Sequence, residues 1–133
     1  MNGIARRAAI GGGLAMALLG RAPAIGQTTG AGTAMYGLIG KMKARPGERD
    51  ALAAILLQGT GAMPGSLSYV VATDPVDADA LWITEVWDGP ESHKASLQLP
   101  AVKDAILRGR PLIAGFESSV ETVPLGGVGL LKR

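Results

Sequence analysis

Residues 81–87, LWITEVW, decide the fold. Read with the period of two that a strand imposes, Leu81, Ile83 and Trp87 fall on one face, and Trp82 and Val86 on the other. A strand that is apolar on both faces must be covered on both. Glu85 shares the face of Leu81, Ile83 and Trp87, where a carboxylate is either paired or shifted in its pKa.

Upstream, SLSYVVAT (66–73) reads as another strand, with Leu67, Tyr69 and Val71 on one face, and the polar DPVDADA (74–80) joins the two as a hairpin. Downstream, Asp88 suits a helix N-cap with Glu91 as its capping-box partner. PESHKASL (90–97) is then a short helix carrying His93, the only histidine of the chain. Pro100 opens a second helical run, AVKDAIL (101–107), with Val102 and Ile106 in register. After the break GRPLIAG (109–115), FESSVETV (116–123) reads as the last strand, with Phe116 and Val120 alternating with Glu117 and Glu121.

Toward the N-terminus, MYGLIGKMKA (35–44) is a strand with Tyr36, Leu38 and Met42 on one face and Lys41 and Lys43 on the other. Pro46-Gly47 breaks it. Glu48 and Asp50 suit the first turn of a helix, whose dipole favours acids. Leu52, Ile55 and Leu56 give that helix one apolar stripe, and Gly59 or Gly61 ends it. The order is β-α-β-β-α-(α)-β, an α+β, ferredoxin-like βαββαβ fold with a four-stranded antiparallel sheet. Its helices cover one sheet face only. The two-sided third strand therefore calls for a second subunit, sheet against sheet, in a homodimer.

The chain has 133 residues and a formal charge of +2. Residues 1–26 hold Arg6, Arg7 and Arg21 and no acid; the remainder has ten Lys and Arg against eleven Asp and Glu, a net −1. The basicity thus belongs to the N-terminal segment, and nucleic acid is not an expected partner. That segment has the parts of an export signal: a positive IARRAAI (4–10), a short apolar IGGGLAMALLG (10–20), and small-residue cleavage patterns in RAPAIGQ (21–27). Arg6-Arg7 favours the twin-arginine route. The apolar core is about half the roughly 20 residues that span a bilayer, so membrane contact is expected only during export, to a periplasmic or secreted location. Residues 27–34 read as a disordered lead-in, 35–124 as the folded domain and 125–133 as a flexible, glycine-rich tail.

There is no cysteine, hence no disulfide, thiolate metal site or iron–sulfur cluster. Phosphate-loop, dinucleotide, zinc-protease and serine-hydrolase motifs are absent. Asp74, Asp77 and Asp79 lack the spacing of a calcium loop and read as a hairpin turn. No metal and no cofactor is expected. The candidate site is therefore His93 and Glu85 for chemistry, with Trp82, Trp87 and Tyr69 as apolar walls. Trp82 and Trp87 point to opposite faces, so only one of them can line a pocket under the helices.

MYGLIGKMKARPGERDAL (35–52), followed by MPGSLSYVVATDPVDADALWITEVWDGPESHKASLQLPAVKDAI (63–106), resembles the antibiotic biosynthesis monooxygenase family, which includes the quinol monooxygenases. The specific parts are the K-x-R-P-G joint, the PGSLSY entry and the W-x-x-E-V-W-D strand running into a histidine-containing helix. The resemblance implies a dimeric α+β barrel and, in some members, oxygenation of quinols or electron-rich phenols by O₂ without a cofactor. Others degrade haem. Many relatives carry a histidine nine residues after the aromatic matching Trp87, where this chain has Ser96; an asparagine that assists in some members has no counterpart here. On this reading His93 is the base that deprotonates a small aromatic substrate, and Glu85 orients it or holds the imidazolium. The alternatives are an exported barrel that binds a small hydrophobic ligand without turnover, and haem binding through His93.

Overall fold

The computed structural model describes residues 34–59 and 61–130. The segment expected to be an export signal, nearly all of the expected lead-in and the last three residues of the expected tail lie outside these. The elements are β1 (Tyr36–Ala44), α1 (Arg49–Gly59), β2 (Ser66–Thr73), β3 (Ala80–Trp87), α2 (Pro90–Ser96), α3 (Pro100–Gly109) and, after one 3₁₀ turn (Arg110–Leu112), β4 (Ile113–Thr122). The four strands form one antiparallel sheet in the order β2-β3-β1-β4, the ferredoxin-like arrangement. No helix among the described residues is long and apolar enough to cross a membrane.

The period-two reading of β3 holds along its length. Leu81, Ile83, Glu85 and Trp87 are buried under the helices, while Trp82, Thr84 and Val86 stay half-buried on the open face. Leu38 and Met42 of β1, Leu52 and Leu56 of α1, and Val102 and Ala105 of α3 complete the core. Gly59 lets α1 and α3 approach closely, since a Cβ there would stand 2.6 Å from Ala105 Cβ. The hairpin carboxylates hold backbone: Asp74 Oδ1 accepts from the Val76 and Asp77 amides, and Asp77 Oδ1 from that of Asp79. Among the described residues, no cluster of three His, Cys, Asp or Glu is placed to hold a metal.

Three local expectations are corrected. The N-cap of α2 is Gly89, with no side-chain cap bond. Asp88 is engaged elsewhere: its amide donates to Gly65 O and its carboxylate accepts from Ser92 Oγ at 2.5 Å. Gly65 sits at φ +88 against Ser92, where a Cβ would come within 2.4 Å, so the turn into β2 locks onto α2. In β4, Phe116 and Val120 do not share a face. The register against β1 slips between Lys41 and Met42, so that Lys41 pairs with Ser118 and Met42 with Phe116. This bulge at Glu117 turns Phe116 onto the core and leaves Val120 on the open face. The strand also starts three residues before Phe116, because Ile113 already pairs with Ala44.

Candidate functional site

Glu85 and Trp87 are two apart on β3 and therefore side by side on its buried face. Trp87 Nε1 donates to Glu85 Oε1 at 2.9 Å. Tyr69 lies directly across from Glu85 on β2. From above, α2 lowers His93 and Ser96, three apart on one helix face, both buried. The imidazole stands edge-on to Trp87 (centroids 5.4 Å, 74°) and tilted against Tyr36 (5.2 Å, 44°).

These side chains enclose a cavity. Tyr69, Glu85, Trp87, His93 and Ser96 line it together with the apolar Met63, Leu97 and Val102. The space open to the centre of a water molecule is about 10 Å³, the room of a single ordered water. Among the described residues, four buried side-chain polar atoms lack a hydrogen-bond partner, and three of them belong to this lining: Tyr69 Oη, Glu85 Oε2 and His93 Nε2. Each such atom costs about 1–3 kcal/mol when left unpaired. Their convergence on one cavity marks a place where a polar group is to be received.

Burial displaces both titratable groups toward their neutral forms. It pushes the Glu85 carboxyl up to about 7, against the lowering effect of the Trp87 N–H, and the His93 imidazole down to about 4. The Tyr69 phenol is also raised, by burial and by Glu85. At neutral pH the imidazole is uncharged and the carboxyl titrates. The expected Glu85–His93 pairing is not the contact formed, because the carboxylate's bond goes to Trp87 instead.

Sequence and fold here converge on one family, and its model matches residues 35–107. The chain belongs to the antibiotic biosynthesis monooxygenase family. A crystal structure from Chloroflexus aurantiacus J-10-fl, described as a member, is 70% identical and covers 72% of this chain and 98% of its own, with a TM-score of 0.71. A Pseudomonas aeruginosa protein (21% identity, 73% and 100% coverage, TM-score 0.62) and a Caulobacter crescentus CB15 protein (18%, 68% and 87%, 0.59) share the fold. No curated protein matches the chain.

Within the family domain the structure gathers Tyr69, Glu85, Trp87 and His93 at one cavity and leaves Trp82 out. Trp82 points to the open sheet face, where its Nε1 donates to Asp74 Oδ2 at 2.8 Å and Lys41 Nζ stands 5.5 Å from its ring. The Asp77 amide, that bond and the Val76 amide hold the Asp74 carboxyl well below the usual carboxylate range. Tyr36 is the residue that the sequence reading passed over. Its ring backs His93, and its hydroxyl donates to Glu121 at 2.7 Å. It shares the face of Leu38 and Met42, so the signal was present. What was missing was the β1–β3 register that sets Tyr36 opposite Trp87. Ser96 also lines the cavity, with its hydroxyl donating to His93 O at 2.6 Å.

Proposed function

We propose that the protein is a cofactor-independent monooxygenase that oxidises a quinol or related electron-rich phenol with O₂. The observation that carries this reading is the convergence of Tyr69 Oη, Glu85 Oε2 and His93 Nε2, all buried and unpartnered, on one cavity with apolar walls. A phenolic hydroxyl is both donor and acceptor and satisfies such a set. Deprotonated there, the ring becomes electron-rich enough to reduce O₂ itself. A quinol and O₂ then give a hydroxyquinone and water, and the substrate supplies all four electrons. Dry walls serve this chemistry by keeping water from the intermediates.

Admission of a ring requires the lining to give way. Met63, unbranched and adaptable, lies on the short connection between α1 and β2 and is the wall side chain suited to move. The protein acts as a homodimer joined through the open sheet faces, and the N-terminal signal sends it out of the cytoplasm.

Oxygen uptake by the full-length protein, with chelator present and a panel of hydroquinones and polycyclic phenols, tests the function. Uptake above the spontaneous rate is expected, falling at least tenfold in His93→Ala. Ligand binding across the panel without uptake would establish the non-catalytic barrel instead.

A further inference from the structure

We propose that Trp87 is a positioning residue for this site: its indole N–H pins Glu85 Oε1 and so holds Oε2 in the cavity as the acceptor of the substrate's hydroxyl proton. The inference rests on the monooxygenase reading and deepens it by naming the group that takes the proton. In that step the substrate O–H bond breaks and an O–H bond to Oε2 forms. A phenolate and a neutral carboxylic acid result, and no electrons move.

The geometry makes the division of labour within the carboxylate definite. Glu85 is 3% exposed and Trp87 1%, so neither side chain has solvent to turn into. One carboxylate oxygen is bonded to the indole at 2.9 Å, and the other is buried, without a partner, in the wall of the cavity. The titratable groups facing it are Tyr36 from β1, Tyr69 from β2 and His93 from α2. None of the three is charged at neutral pH. The indole N–H is thus the group that stabilises the ionised form against burial.

His93 is the weaker candidate for acceptor, because burial leaves its imidazole far less basic than a general base working near neutrality requires. Its free Nε2 serves instead to hold the substrate hydroxyl, with Tyr69 Oη.

The test titrates the Glu85 carboxyl directly, by NMR of the full-length protein carrying ¹³C-labelled glutamate, with Glu85→Gln assigning the resonance. Trp87→Phe keeps most of the ring and removes the N–H. The expected result is a Glu85 midpoint displaced upward by about one pH unit, the size of one lost hydrogen bond to a charged group, and an acid limb of oxygen uptake displaced with it. If the phenylalanine variant does not fold, site-specific benzothienylalanine gives the shape of tryptophan without its N–H. A midpoint unmoved in the folded variant overturns the positioning role. Oxygen uptake kept in Glu85→Gln overturns the acceptor role. Failure of the native protein to consume oxygen overturns the monooxygenase reading, and the titration then still decides what Trp87 does.

Discussion

Glu85 and His93 are displaced by the same burial in opposite senses, and this gives each a distinct signature in stability. The Glu85 carboxyl titrates near 7 when folded and near 4.5 when unfolded, so between those values the native state holds the extra proton and stability falls as pH rises. The His93 imidazole titrates near 4 when folded and near 6.5 when unfolded, so there the unfolded state holds the extra proton and stability rises with pH. From about pH 4.5 to 6.5 the two slopes oppose and nearly cancel. Asp74 and Asp77, both lowered, act below this window. Denaturant titrations across it are expected to be flat for the native protein. They should decline with pH for His93→Ala and climb with pH for Glu85→Gln, each by about 3 kcal/mol over its range. Parallel curves for all three proteins would mean that neither group is buried as described. Part of the cavity lining was readable in the chain, since Glu85 sits on an apolar face and the histidine follows within one turn of helix, whereas Trp82 lies on the other face and Tyr36 was passed over. The partner of Glu85 was not readable. A carboxylate two residues from a tryptophan and near a histidine has two candidate donors, and only the depth and tilt of α2 decide between them.

At the scale of elements, alternation located every strand, and helix punctuation by Pro46, Gly59 and Pro100 located α1 and α3. The failures came where a local interaction competes with the pattern. Asp88 carries the chemistry of an N-cap, but its amide and carboxylate are spent on Gly65 and Ser92, a contact between segments far apart in the pattern. In β4, Gly109 and Pro111 obscured the true start, and the bulge at Glu117 reversed the facing of everything beyond it. A bulge leaves no mark on hydrophobic alternation, because each half of the strand keeps its own period. The reversal has a measurable consequence. Phe116 packs on the core, whereas Val120 is 54% exposed on the open face. Under conditions that keep the subunit monomeric, Phe116→Ala is expected to cost about 2 kcal/mol in urea unfolding, and Val120→Ala less than about 0.5 kcal/mol. Equal losses would place both side chains on one face and remove the bulge.

The whole molecule presents one sheet face to helices and the other to solvent, and the bulge decides what that second face carries. Across the register, Val70 lies opposite Thr84, Thr84 opposite Ile39 and Ile39 opposite Val120, so one row crosses all four strands. Val70 is 51% exposed and Ile39 37%, and with Val120 they make the row apolar apart from the Thr84 hydroxyl. Beside it run Trp82, Lys41 and Ser118, where Lys41 is paired with Asp74 at 3.5 Å and Glu117 at 3.3 Å. An apolar centre with charged groups tied down at its margin is the anatomy of an interface core and rim. A row that continues from edge to edge of a sheet is also self-complementary under a two-fold axis. Two copies joined here would cover the second face of β3, meeting the requirement that its sequence sets. Sedimentation equilibrium is expected to give twice the chain mass at micromolar concentration, with a midpoint of thermal unfolding that rises with protein concentration. Val70→Glu puts a charge at one end of the row, on the edge strand β2, without touching the core. It should weaken association at least tenfold while leaving the subunit folded by circular dichroism, whereas Val76→Glu, on the exposed hairpin between β2 and β3, should leave association unchanged. A native protein that sediments at the chain mass, or a Val70→Glu variant that dimerises as the native one does, would separate the two-sidedness of β3 from assembly and leave Trp82 explained by its bond to Asp74 alone.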